Sequence, residues 1–234
     1  MCTEGCVQFA RSQLGRSEVA GRSVLDVGSC DVNGTVRAIV EQLGASTYVG
    51  VDIADGPGVD VVCSAEGLIE RFGSESFDVV LTTEMLEHVR DWRTVVHNLK
   101  GVLRPGGILV LTTRSRGFPF HGYPADYWRF ELSDMSTIFS DMDLEALQSD
   151  VAASPGVFLR ARRPVEFIEQ DLAEVRVYSV VRRCRTDSAT TADVMFSRSF
   201  ARAKSGVHRV LPGPARRTAR RLVDSAVGGL RPGR

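Results

Sequence analysis

The sequence predicts an α/β domain: a doubly wound, mostly parallel seven-stranded sheet with an antiparallel terminal hairpin. Three observations carry this. Short apolar runs alternate with amphipathic stretches at helical spacing; the first run ends in an acid and a glycine at Asp26 and Gly28; and the pattern closes on two runs separated by Pro155-Gly156. Strands buried on both faces read as continuous apolar runs, which marks a sheet covered by helices on each side.

In order, Val7, Ala10 and Leu14 fall on one face of a short N-terminal helix, and Gly21-Arg22-Ser23 launches the first strand at residues 24–27. Asn33-Gly34 ends the following turn, and Val36, Ile39, Val40 and Leu43 mark a helix. A second strand at 48–51 ends in Asp52. A Gly/Pro turn at 55–58 precedes a short strand at 59–62 and a helix at 65–72. The fourth strand covers 77–81, and Asp91 is the expected N-cap of a helix carrying Trp92, Val95, Val96, Leu99 and Val102. Arg104-Pro105-Gly106-Gly107 reads as a turn before a fifth strand at 108–112. Ser133 is the expected cap of a helix through Phe139, strands at 144–147 and 157–161 form the hairpin, and 174–181 reads equally as a strand or a surface helix.

The 234 residues suit one domain with appendages: 43% are hydrophobic and 25% charged, enough for one core. Lys+Arg and Asp+Glu are both 29, so no net field argues for nucleic acid or an anionic membrane. The five cysteines are an odd number without paired zinc spacing, which reads as reduced thiols in a cytoplasmic protein. No stretch approaches the ~20 apolar residues of a membrane helix, and no signal-peptide core is present. Beyond Arg185 the periodicity fades into an arginine-rich segment whose only acid after Arg198 is Asp224. The expected division is a domain over 1–184 and a basic extension over 185–234, helical or disordered, that is solvated or covered in a homo-oligomer.

The chemistry concentrates after the first, second and fourth strands. Gly28 lets backbone approach a ligand, the following helix start offers unpaired N–H groups to a carboxylate, and Asp26 can pair with an ammonium. Together with Ser29 they fit the zwitterionic end of an amino acid. A dinucleotide would want Gly-x-Gly-x-x-Gly, whereas this turn reads Gly28-Ser29-Cys30-Asp31-Val32-Asn33-Gly34. Asp52, at the tip of the second strand, can accept both hydroxyls of a ribose, with Ile53 against an adenine face.

The blocks Leu25-Asp26-Val27-Gly28, Tyr48-Val49-Gly50-Val51-Asp52, Phe77-Asp78-Val79-Val80, Leu86-Glu87-His88-Val89 and Leu103-Arg104-Pro105-Gly106-Gly107 occur in one order. In that order the chain resembles the class I S-adenosylmethionine-dependent methyltransferases, in the broad group with Leu-Glu-His after strand four, over about residues 24–164. The resemblance implies a Rossmann-like fold, S-adenosyl-L-methionine as cofactor and S-adenosyl-L-homocysteine as product. It implies Asp26 and Gly28 at the methionine end, Asp52 at the ribose, Ala65 or its neighbours at the adenine edge, and Thr83 and Glu84 beside the methionine. Two positions depart from the group: Cys30 stands for its second glycine, and Ser64 stands where an acid often meets the adenine amino group, so that contact falls to Ser64 or Glu66.

Methyl transfer to a hydroxyl needs alignment and removal of a proton. His121 and His88 lie near the carboxyl ends of strands and are the candidate bases, whereas His97 and His208 read as surface residues. The segment 118–130 has the composition of a carbohydrate or polyol contact, with Tyr123, Asp126, Tyr127, Trp128 and Arg129 as acceptor contacts; the same residues also suit a lid that excludes water. His121 and Asp126 are two candidate ligands for a divalent ion, too few in one loop, so no metal is assigned. The expected activity is O-methylation of a sugar, glycoside or natural-product small molecule, with N- or C-methylation, or a nicotinamide-dependent oxidoreductase, as alternatives. A third class, nucleic-acid binding through the basic extension, is disfavoured by the charge balance.

Overall fold

The structure, a computed structural model, describes residues 4–32, 34–121, 125–151, 153–190 and 193. Asn33, Tyr123 and the bulk of the basic extension therefore lie outside the described residues. The chain divides into two compact units, Met1–Ala189 and Thr190–Arg234. All the elements below belong to the first.

The helices are α1 (Glu4–Gln13), α2 (Arg16–Val19), α3 (Arg37–Gln42), α4 (Leu68–Phe72), α5 (Trp92–Gly101) and α6 (Leu132–Ile138). The strands are β1 (Ser23–Val27), β2 (Thr47–Asp52), β3 (Val61–Val62), β4 (Phe77–Thr83), β5 (Leu103–Arg114), β6 (Trp128–Arg129), β7 (Asp143–Ser149), β8 (Gly156–Arg162), β9 (Val177–Ser179) and β10 (Cys184–Thr186). Among the described residues, seven strands form one sheet in the order β3-β2-β1-β4-β5-β8-β7. β1 to β5 run parallel, and β8 is antiparallel to both β5 and β7. This is the expected fold.

Strand side chains alternate between faces, and here the alternation divides the core in two. Leu25, Val27, Val80, Leu109 and Leu111 pack on one face with Trp92, Val95, Val96 and Leu99 of α5. Val24, Val79, Leu81, Ile108 and Val110 pack on the other with Phe9 and Ala10 of α1 and Val40 of α3. Two packed faces on a parallel sheet leave its carboxyl edge as the place for a ligand. The order reverses at β1, where β2 leads away on one side and β4 on the other, and a crevice opens at such a reversal.

Several expectations are corrected. Arg104–Gly107 is part of β5 and not a turn ahead of it; the pairing with β4 shifts register between Phe77 and Val79, and Gly106 at φ +77° absorbs the irregularity. α6 is capped by Glu131, whose N–H donates to Asp134 Oδ2 at 2.9 Å, and not by Ser133. The Asp91 cap is as expected, its Oδ1 accepting the Thr94 N–H at 3.2 Å. The open choice at 174–181 resolves as β9, the centre of a second, antiparallel sheet in the order β10-β9-β6. β10 straddles the position at which sequence reading ends the domain, and the compact unit runs to Ala189.

Candidate functional site

β1 delivers its acid and its glycine to the reversal point. Gly28 has φ +83°, and its N–H donates to Val51 O at 2.9 Å. A Cβ there would lie 2.8 Å from Met85 Cβ and 2.9 Å from Met85 Cγ. The turn after β1 and the turn after β4 therefore touch, and only glycine fits between them.

Asp26 is buried on the α3 face, where the Tyr48 hydroxyl donates to its Oδ2. Among the described residues its Oδ1 has no hydrogen-bond partner. Burial pushes the carboxyl up to about 6, with the Tyr48 hydrogen bond opposing. Asp52 is half-buried at the end of β2, and its Oδ2 accepts the Cys30 N–H at 3.3 Å. The expected ribose acid thus also braces the glycine turn.

Ser29, an expected ligand contact, braces the turn. Its N–H donates to Val51 O at 3.0 Å and its hydroxyl to Gly58 O at 3.0 Å. The loop at 53–60 also closes over Cys30: Asp31 N–H donates to Pro57 O at 2.7 Å, and a Cβ on Gly56 would be 2.8 Å from Cys30 Sγ. Cys30, in place of a glycine, is accommodated because Gly56 supplies the missing space.

On the expected adenine side Ile53 is 60% exposed, Ala65 is buried, and Ser64 and Glu66 are exposed. Ser64 Oγ accepts the Glu66 N–H at 3.2 Å and caps a short 3-10 turn, Ala65–Gly67. After β4, Thr83 and Glu84 are buried. Glu84 has φ +56°, a conformation a non-glycine residue holds at a cost of about 1–3 kcal/mol. It is fixed there by an ion pair with Arg114 and by Cys6 Sγ, which donates to Oε1 at 3.3 Å. Burial and the neighbouring Glu87 raise Glu84 above the carboxylate range, with Arg114 opposing. Its side chain, expected beside a methionine group, is held by these protein partners.

The 3-10 turn Leu86–His88 carries the next group. Glu87 is fully buried, and Thr113 Oγ1 donates to its Oε2 at 2.9 Å. Its Oε1 faces His88 Nε2 at 3.9 Å and His121 Nε2 at 3.7 Å. The two imidazoles pack edge to face with centroids 4.7 Å apart. His88 Nδ1 is bonded to the Ala125 carbonyl, and His121 Nδ1 lies 3.1 Å from Asp126 Oδ2. Burial pulls His121 down, but Asp126 and Glu87 outweigh it and bring it to about 9.

Sequence reading selected both histidines but missed Glu87 as their companion; its place beside His88 in the Leu-Glu-His block was the available signal. Of the expected acceptor contacts, Asp126, Trp128 and Arg129 are buried and have protein partners. Arg129 grips Asp126 with two N–H groups, at 2.5 and 2.7 Å, and both side chains are buried. Arg129 and the His121 N–H at 2.9 Å hold Asp126 well below the usual carboxylate range against its burial. Trp128 is in the core, its Nε1 donating to Val89 O at 2.9 Å. These residues frame the loop, because a buried charge pair and a buried indole both require internal partners. Tyr127 is half-buried, with its N–H on Glu87 O at 2.9 Å, and Phe120 is 40% exposed.

Residues 8–153 match the family model described as a methyltransferase domain. A ubiquinone biosynthesis O-methyltransferase of Haemophilus ducreyi is 49% identical over 43 residues, 18% of each chain. The same enzyme of Parvibaculum lavamentivorans is 37% identical over 49 residues, 21% of this chain and 19% of the relative, so the match spans about a fifth of these curated relatives. Among solved structures, the fold is similar to a Burkholderia thailandensis 1,6-didemethyltoxoflavin-N1-methyltransferase with bound S-adenosylhomocysteine. That likeness has a TM-score of 0.58 at 18% identity and covers 69% of this chain and 79% of the other.

Proposed function

This chain belongs to the methyltransferase domain family, whose members take their methyl group from S-adenosylmethionine, and we propose that it O-methylates a hydroxyl of a sugar, glycoside or natural-product small molecule. The observation that carries this is the convergence of Glu87 Oε1 with the Nε2 atoms of His88 and His121, one turn from the Met85–Gly28 contact. A hydroxyl acceptor needs a proton removed during an in-line displacement at the sulfonium, and this cluster offers lone pairs for it. With His88 Nδ1 bonded to a carbonyl, its Nε2 carries the free pair. His121 stands between two carboxylates, so the proton-accepting role goes to His88.

The donor lies along the Gly28 turn with its ammonium toward Asp26 Oδ1 and its ribose on Asp52. Ile53, Ala65 and Ser64 or Glu66 border the adenine, and Thr83 borders the methionine. Tyr127 meets the acceptor. The partial similarity to ubiquinone O-methyltransferases supports oxygen over nitrogen or carbon. Among the described residues Cys6, Cys30, Cys63 and Cys184 are in no disulfide, in keeping with a reducing compartment such as the cytoplasm. Among the described residues no helix is long and apolar enough to cross a membrane.

Calorimetric titration with S-adenosylhomocysteine tests the donor site. Asp52→Ala removes charge-assisted hydrogen bonds of about 1.5–3 kcal/mol and is expected to weaken binding about 10- to 100-fold. His88→Ala is expected to keep that affinity and to lower turnover about 10²- to 10⁴-fold, measured with methyl-labelled donor and a panel of glycosides and phenols. No binding at millimolar ligand would end the reading, and a labelled methyl found on nitrogen or carbon would end its oxygen part.

A further inference from the structure

We propose that Glu87, His88 and His121 form a binding site for a divalent first-row transition-metal ion such as Zn²⁺ or Mn²⁺. One ligand atom from each of the three falls within 4.8 Å of the others. Glu87 Oε1 is 3.9 Å from His88 Nε2 and 3.7 Å from His121 Nε2. Ligands held at about 2.1 Å from a tetrahedral ion are separated by ~3.4 Å, so each of the two distances from Glu87 Oε1 closes onto an ion by a few tenths of an ångström. Those separations exceed hydrogen-bond reach, and among the described residues Glu87 Oε1, on a fully buried residue, has no hydrogen-bond partner.

The outer atoms of all three side chains are already held. His88 Nδ1 is bonded to Ala125 O, His121 Nδ1 is bonded to Pro119 O at 3.3 Å and lies 3.1 Å from Asp126 Oδ2, and Glu87 Oε2 accepts from Thr113 Oγ1 at 2.9 Å. A metal-binding imidazole characteristically donates its other N–H to a carbonyl or carboxylate, which fixes the tautomer and aims the lone pair at the ion. Both histidines here have that arrangement. Arg129, gripping Asp126 from the far side, anchors the outer partner of His121. Two imidazoles and one carboxylate suit zinc, manganese, iron or cobalt better than magnesium or calcium, which favour all-oxygen sites.

Three protein ligands leave positions open to an acceptor oxygen. Bound there, a hydroxyl loses its proton more readily because the ion stabilises the alkoxide. This mode and proton removal by His88 exclude each other, since both use His88 Nε2. Ion binding itself does not depend on the methyl-transfer reading; only this consequence rests on it.

The test uses the full chain, stripped with a chelator, dialysed, and titrated with Co²⁺ while visible ligand-field absorption is followed, with S-adenosylhomocysteine affinity measured on the same samples. One equivalent is expected to bind. His121→Ala and Glu87→Gln are each expected to weaken it at least about 100-fold, and Thr113→Val about tenfold through the outer hydrogen bond. His97→Ala, at an exposed residue paired with Glu169 at 2.7 Å, is expected to change nothing. Should Glu87→Gln lose its fold, His121→Ala and Thr113→Val decide. Binding weaker than millimolar, equal binding by wild type and His121→Ala, or thiolate-to-cobalt charge transfer overturns the proposal. Loss of S-adenosylhomocysteine binding by the unmutated protein instead strikes the methyltransferase reading.

Discussion

Gly28→Ala tests the contact on which donor and acceptor halves meet. An alanine at φ +83° costs about 1–2 kcal/mol from its own backbone. Its Cβ would also lie 2.8 Å from Met85 Cβ and 2.9 Å from Met85 Cγ, against ordinary carbon contacts of about 3.5–4.0 Å. Met85 Cγ can rotate away, but its Cβ moves only with the backbone of the turn between β4 and Leu86–His88. Overpacking of this kind costs about 1–3 kcal/mol, so the total is about 2–5 kcal/mol. Urea denaturation reads that loss, and calorimetry with S-adenosylhomocysteine is expected to show affinity at least tenfold weaker, ~1.4 kcal/mol. The steric part is isolated by Met85→Gly, which removes both offending atoms. The double variant is expected to recover about 1–3 kcal/mol relative to the sum of the single changes. Additivity within about 0.5 kcal/mol, or a Gly28→Ala protein of unchanged stability and affinity, would refute the contact argument.

Asp26, raised to about 6 against 3.8 for the free side chain, holds a proton in the folded state that the unfolded chain releases between about pH 4 and 6. Stability therefore falls as pH rises through that window, by about 3 kcal/mol in total. Asp26→Asn is expected to abolish that component, and parallel urea midpoints for both proteins from pH 4 to 7 would contradict it. Lys100 and Asp141 form a buried pair at 2.7 Å. Asp141→Ala and Lys100→Met each leave one buried charge uncompensated and are each expected to cost about 3–5 kcal/mol by urea denaturation; a loss below about 1 kcal/mol from either would count against an unpaired charge as the cause. Arg129→Lys cannot reproduce the two-pronged grip on Asp126. It is expected to raise the acceptor KM while leaving S-adenosylhomocysteine affinity within about twofold, and an unchanged KM would show that the frame does not orient His121.

The parallel sheet was legible because its strands are short, nearly continuous apolar runs set between stretches at helical spacing, as at Val24 to Val27 and Val79 to Leu81. Asp26, Gly28 and Asp52 were legible because each ends such a run. The second sheet was not: β6 has two residues and β9 and β10 three each, too few for any period to register. The acceptor segment failed for a related reason. A loop of mixed aromatic and charged residues has no repeat that says which side chains turn inward, so Trp128 and Arg129 read like Tyr127 although they are buried. The brace from Cys6 to Glu84 joins residues 78 apart, a distance at which spacing carries no information.

The turn after β4 explains why these unequal halves make one site. Glu84 takes a left-handed conformation at the last buried step of the strand, and its pairing with Arg114 and Cys6 holds it there. That reversal sets Met85 against Gly28, on the donor side we propose, and begins the 3-10 turn that carries Glu87 and His88, on the proposed acceptor side. Donor and acceptor groups thus share five consecutive residues, so a displacement at either end passes through a backbone with no slack. A methyl group must travel along one line between sulfur and acceptor, and a misplacement of about 1 Å costs about 100-fold in rate. A short turn strained at Glu84 and pinned at both ends limits that misplacement more effectively than two independent loops would.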